Sequence, residues 1–238
     1  MRFRQMIPVA AATVLLSSTA LAGEWSGFYV GGVASADFAH AGFALPGDAS
    51  DTLLQRSSNK TSLVGGGLVG YNFQIGNTVI GAEADVMNSP GTQSVTACAV
   101  PDGCFTSAHD SFTTFNNLHT STSERYRVRF GMIAYDTLFY GAAGYSHTTS
   151  VLALVGDCFD PADPAVPTVY NFVRAKPLSG FNLAVGAEHS IGKYLFVRGE
   201  YLYEDFGNQT WSGQAPEWND RRISLNNSQL RLAVGLRL

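Results

Sequence analysis

"ERYRVRFGMIAYDTLFYGAAGY", residues 124–145, places Arg125, Arg127 and Arg129 at every second position among Tyr126, Val128, Phe130 and Met132. Successive side chains of a strand point to opposite faces, so this alternation predicts a strand with one charged and one apolar face. The "YDT" that follows reads as a tight turn into a second strand. Which of the two faces meets water decides what the chain is.

The same pattern extends in both directions. Strands are predicted over 25–36, 63–74, 78–88, 122–134, 138–151, 179–190, 194–205 and 227–238, eight in all. Three of the connections are short ("IGN", "YDT", "IGK"), and four are long and polar, over 37–62, 89–121, 152–178 and 206–226. Short and long connections alternate, so all long ones leave one end of the sheet and all short ones the other. An even strand number with that asymmetry is the pattern of a membrane-spanning barrel.

The faces agree from strand to strand. Ile80, Ala82, Ala84 and Val86 oppose Glu83 and Asp85; Phe181, Leu183, Val185 and Ala187 oppose Asn182 and Glu188. Leu195, Val197, Tyr201 and Tyr203 oppose Arg198 and Glu200, and Leu230, Leu232, Val234, Leu236 and Leu238 oppose Arg231 and Arg237. The first two strands are too rich in glycine for their faces to be assigned. A soluble barrel would turn the apolar face inward; a membrane barrel turns it to lipid. Both charge signs at mid-strand, the scarcity of lysine beyond Lys193, and aromatic residues near strand ends favour the membrane. That aromatic set comprises Trp25, Phe28, Tyr29, Tyr71, Phe73, Tyr135, Phe139, Tyr140, Tyr194, Phe196, Tyr201 and Tyr203. The expected fold is therefore an all-β, eight-stranded antiparallel up-and-down transmembrane barrel. Its expected lumen charge network is Glu83, Asp85, Arg125, Arg127, Arg129, Glu188, Arg198, Glu200, Arg231 and Arg237. Gly81 and Gly186 share a face with Glu83 and Glu188, either to make room for a bulky partner or to ease curvature.

Composition sets the bounds. Charged residues are 14% of the 238, against about a quarter in soluble domains. A net charge of −4 offers no footprint for nucleic acid, and no run is apolar for long enough to be a membrane-spanning helix. Arg2 and Arg4, an apolar run over 7–16 and Ala20-Leu21-Ala22 predict a signal peptide over 1–22, removed on export, with the barrel domain over 23–238. Cys98 and Cys104 are the first choice for a disulfide, with a Cys158 bridge to either as the competitor. The cysteines lack the spacing of a zinc site, no Ca²⁺-loop spacing occurs among the acids, and no cofactor is expected.

"WSGFYVGG", "GGGLVGYNFQIGNTVIGAEADV", "RYRVRFGMIAYDTLFYGAAGYS", "GFNLAVGAEHSI" and "YLFVRGEYLYEDFG", in this order, resemble the small porin-like outer-membrane proteins of alphaproteobacteria, the RopB type. Those in turn resemble the transmembrane barrel of OmpA. The resemblance implies an outer-membrane barrel with short periplasmic turns, long extracellular loops and no catalytic residues to carry over. It implies outer-membrane lipid and lipopolysaccharide as surroundings and the barrel-assembly machinery as partner during insertion. Members usually end in an aromatic residue, where this chain has Leu238, and no peptidoglycan-binding domain is expected after the last strand.

Four functions fit to different degrees. The first is a structural, surface-exposed role in the Gram-negative envelope; the alternative is a narrow passive-diffusion porin whose lumen charges set selectivity. A lipid-modifying enzyme needs a converging constellation, and the histidines (His40, His109, His119, His147, His189) supply none; Ser146 and His147 adjoin but face opposite ways. A soluble ligand-binding barrel is the fourth reading.

Overall fold

Inward polar or charged side chains and outward hydrocarbon recur along most of the chain. The computed structural model describes residues 25–45, 54–88, 90–98, 111–159, 168–211 and 221–238. Its strands are β1 (Gly27–Leu45), β2 (Leu54–Ile75), β3 (Thr78–Met87), β4 (Gly91–Cys98), β5 (Ser111–Ala134), β6 (Thr137–Phe159), β7 (Thr168–Ile191), β8 (Leu195–Trp211) and β9 (Arg221–Arg237). All neighbours pair antiparallel, in the order β3-β2-β1-β9-β8-β7-β6-β5-β4, and a β3–β5 pairing closes the ring. β3 and β4 occupy one position in that ring, since both pair with β5. At the level of β3 the result is an eight-position ring without a free edge, the only way a sheet can satisfy its backbone in hydrocarbon. Above that level β2 (54–65) and β4, and β7 (168–180) and β8 (206–211), are not paired with each other.

The interruption between β3 and β4 has a local cause. Pro90 has no N–H to donate, and Gly91 follows with φ +94°. β5 shifts register opposite the gap, between Thr120 and Ser123. At the other end the turns are tight: Gly76 (φ +58°), Tyr135 (φ +55°) and Gly192 (φ +65°) take left-handed backbone. Neighbouring strands stitch these turns together, Ile133 N donating to Asn77 O (2.7 Å) and Arg237 N to Tyr194 O (2.7 Å).

Two expectations are corrected here. The stretches 37–62, 89–121, 152–178 and 206–226 are largely not loops, because β1, β2 and β4–β9 run on through them as paired strand. Strands of 17–24 residues are roughly twice the ~9–11 needed to span hydrocarbon. Along β5 the outward face passes from Met132, Phe130, Val128 and Tyr126 to Glu124, Thr122 and His119, all exposed. Beyond the hydrocarbon the outer wall faces water, so it has no need to be apolar, and a polar strand reads as a loop. Second, Trp25, Tyr29, Tyr140 and Phe196 do not belong to an aromatic girdle; they are buried inside the barrel. Tyr71, Phe73, Tyr126, Phe139, Tyr145 and Phe181 remain on the outside, among exposed Val, Leu and Ile side chains. The 1–22 segment and Cys104 lie outside the described residues.

Inward glycines stand beside the bulkiest inward side chains. A Cβ on Gly70 would lie 2.3 Å from the Tyr29 ring, one on Gly186 2.7 Å from the Tyr140 hydroxyl, and one on Gly235 2.3 Å from Phe196. Gly81 likewise accommodates Asn72 and Arg129. In a barrel barely wide enough for its own side chains, each missing side chain makes space for a large neighbour.

Candidate functional site: the charged lumen

Register pairs opposite charges directly across neighbouring strands. Glu83 stands opposite Arg127 and Asp85 opposite Arg125 on β3–β5; Glu188 opposes Arg198 on β7–β8, and Glu200 opposes Arg231 on β8–β9. Inward cross-strand pairs of opposite sign are mutually stabilising. Because β5 and β8 lie on different sides of the ring, their long arginines then reach across the lumen.

The cross-lumen links join these pairs into one network. Arg125 binds Glu204 through two bonds (Nε–Oε1 2.9 Å, Nη2–Oε2 3.0 Å) and Asp85 through a third (3.1 Å). Arg127 meets Glu83, Asp85 (3.2 Å) and Glu200 (2.8 Å). Arg198 bridges Glu83 and Glu188, and Arg129 contacts Glu188 at 3.1 Å with its guanidinium 4.0 Å from the Tyr140 ring centroid. Arg231 spans Asp85 (3.1 Å) and Glu200 (3.0 Å). Arg237 closes the chain on Glu188 (3.0 Å), lying 3.8 Å from the centroid of Trp25. Tyr29 and Tyr140 donate to Glu83 (2.8 Å) and Glu200 (2.6 Å). A continuous path of ion pairs thus runs from Glu204 to Arg237.

All ten residues singled out in the sequence lie buried in this interior. Sequence reasoning missed Glu204, although it shares the face of Arg198 and Glu200, and missed the hydroxyls of Tyr29 and Tyr140. It also missed Asp37, a buried carboxylate that accepts from Ser35 (2.5 Å), Asn227 (3.1 Å) and Gln229 (3.1 Å). Six guanidinium groups face five carboxylates in the network, and Asp37 is a sixth carboxylate held by neutral donors.

Apolar layers bound the charges on both sides. Trp25, Val79, Leu138 and Tyr140 cluster toward the turns. Phe43, Leu118, Leu152, Leu178, Phe206 and Leu225 belong to a cluster toward the opposite end. Chemically the interior is suited to charge pairing. Ser146 Oγ is buried and accepts from Asn182 (2.8 Å), while His147 stacks on Tyr145 at the wall. No group of three or more His, Cys, Asp or Glu that could hold a metal ion occurs among the described residues.

Comparison with known proteins gives a consistent picture. The family model described as the outer membrane protein beta-barrel domain matches residues 8–237. The chain is 30% identical over 193 residues to the 31 kDa outer-membrane immunogenic proteins of Brucella melitensis and Brucella suis, across 78% of this chain and 73% of each relative. Among solved structures it is similar in fold to the outer membrane protein OprG from Pseudomonas aeruginosa, with a TM-score of 0.52 at 10% identity, covering 91% of this chain and 98% of that one.

Proposed function

This chain belongs to the outer-membrane β-barrel protein family, and from that premise we propose that it is a sealed barrel with a structural, surface-presenting role in the Gram-negative envelope. The observation that carries this reading is the unbroken ion-pair path from Glu204 to Arg237, flanked by apolar layers. An ion entering such a lumen would have to separate buried charge pairs that have lost their hydration, at a cost of several kcal/mol per ion. The chain is of the alphaproteobacterial RopB type, with an OmpA-like barrel. It is exported through a cleaved leader and inserted by the barrel-assembly machinery. Its tight turns face the periplasm, and its long hairpins project outside among lipopolysaccharide. It has no enzymatic activity.

Single-channel recording of the refolded protein in a planar bilayer tests the sealing, with a silent, inserted barrel expected. Reproducible, salt-dependent steps would replace this reading with that of a narrow porin. Orientation is tested separately, in a background without native cysteines. Asn59→Cys is expected to react with an impermeant maleimide on intact cells, and Asn77→Cys is not.

A further inference from the structure

Four adjacent strands, β8, β9, β1 and β2, carry two concavities on their outer wall, one above the other. Register defines them row by row. Asn208, Ser224, Gly42 and Ser57 stand side by side. The row below holds Asp205, Asn226, His40 and Asn59, and the row above holds Thr210, Arg222 and Ala44. Gly42 sits at the centre of this polar grid without a side chain, leaving a cleft of about 430 Å³ lined by His40, Ser57, Asn208, Arg222 and Ser224. A Cβ on Gly42 would come within 2.6 Å of Ser224 Oγ. Arg222 is exposed and makes no ion pair among the described residues. His40 Nδ1 donates to Asn59 Oδ1 (2.6 Å), which leaves Nε2 to accept from a hydroxyl. The single carboxylate in the grid, Asp205, accepts from Gly207 N (2.7 Å) and is held at the β8 bulge.

Directly below, the same strands turn apolar. The Tyr201 hydroxyl meets Ser228 Oγ (3.1 Å) at the boundary. Beneath it a groove of about 620 Å³ is floored by Ala34, Ala36 and Gly199 and walled by Leu63, Tyr201 and Leu230. The groove and the cleft are about two to three strand rows apart, each row being ~6.6 Å along the strand. The opposite wall has a similar apolar hollow beside Ala82, Ala84 and Ala143, but exposed Glu124 stands above it, where an anion would be repelled.

A cation with hydroxyl and amide donors above, and an apolar channel below, match an amphiphile with an anionic, hydroxyl-rich head. We propose that this wall binds one phosphorylated glycolipid. Its phosphate lies against Arg222, its sugar hydroxyls on Ser57, Asn208, Ser224 and the His40 Nε2 acceptor, and an acyl chain in the groove at Gly199. The proposal rests on the outer-membrane reading above and gives that reading a specific lipid.

Native mass spectrometry of the refolded protein in detergent tests it, with a diphosphorylated diglucosamine lipid, phosphatidylglycerol and inorganic phosphate as probes. Expected is one glycolipid per barrel, bound about fivefold or more weakly in Arg222→Ala, the loss expected for one surface cation at an anionic headgroup. Gly199→Phe fills the groove, where an added Cβ meets nothing within 4 Å, and weakens binding similarly. Ala143→Phe, on the opposite wall, leaves binding unchanged. Equal binding by all four proteins overturns the proposal, as does equally tight phosphatidylglycerol. Displacement by inorganic phosphate with no effect of Gly199→Phe reduces the site to an anion site, and also overturns it. A barrel that conducts yet keeps this selectivity refutes the sealed lumen alone; a silent barrel without selectivity refutes the glycolipid alone.

Discussion

Removing one lumen carboxylate tests the charge network most directly, and the structure ranks the choices. Glu83 touches Arg127, Arg198 and Arg129 and accepts from Tyr29. In Glu83→Ala, Arg127 keeps Asp85 and Glu200, while Arg198 and Arg129 keep Glu188. No arginine is left without a carboxylate, so the loss is expected near the lower end for a broken buried pair, about 3 kcal/mol. Glu188 is different. It is the sole carboxylate on Arg237 in the network and the nearer of two on Arg129, whose other contact, to Glu83, is 3.7 Å. Glu188→Ala should therefore cost more, about 5 kcal/mol. Equilibrium urea unfolding in phospholipid vesicles reads both, followed by the fluorescence of Trp25 and Trp211, which are buried in the barrel. With a slope of about 2 kcal/mol/M, the midpoints fall by roughly 1.5 M and 2.5 M. Midpoints within about 0.3 M of the parent for both variants, at unchanged slope, would refute the reasoning, and so would the reverse order.

Other expectations follow from packing and depth. Gly186→Ala brings a Cβ to 2.7 Å from both Gly199 O and the Tyr140 hydroxyl, and should cost about 1–3 kcal/mol in the same unfolding assay. Gly199→Ala meets nothing and should stay within about 0.5 kcal/mol. Val128→Arg, on the exposed apolar face of β5, should lower stability by about 2–4 kcal/mol in vesicles, whereas His119→Arg, on the polar part of the same strand, should change it by less than about 1 kcal/mol. A shallow, uniform arginine response along β5 would count against the boundary placed at Tyr126 and Glu124.

How much of this was legible depended on which residues carried the alternation. On β3, β5, β7, β8 and β9 charge alternates with large apolar side chains, so inward and outward faces could be read without coordinates. Glu204 carried the same signal, two places beyond Leu202 and four beyond Glu200. β1 and β2 are rich in Gly, Ala, Ser and Val, whose small difference in polarity hides the period, so Tyr29 reads with the aromatic girdle, while Asp37 falls in the 37–62 stretch that reads as a connection. Aromatic residues misled for a related reason: Tyr140 and Phe196 stand near strand ends like girdle residues, and only the glycines opposite them, Gly186 and Gly235, mark the space they fill inside. Which arginine crosses the lumen to which carboxylate follows from ring closure and side-chain reach, and strand alternation alone does not encode either.

The length of the strands carries a consequence of its own. β1 and β2 remain paired from Gly27↔Asn72 to Leu45↔Leu54, well past the level where the outer wall loses its hydrocarbon. If ~10 of the 19 residues of β1 span the membrane, the other nine raise its end by about 20 Å at a tilt near 40°. The upper ends of the paired strands thus form a pedestal of sheet above the hydrocarbon. Register and closure are fixed lower down, by the charge pairs and the tight turns. With the orientation proposed above, replacements at the summit would alter what the cell displays without disturbing how the protein is anchored.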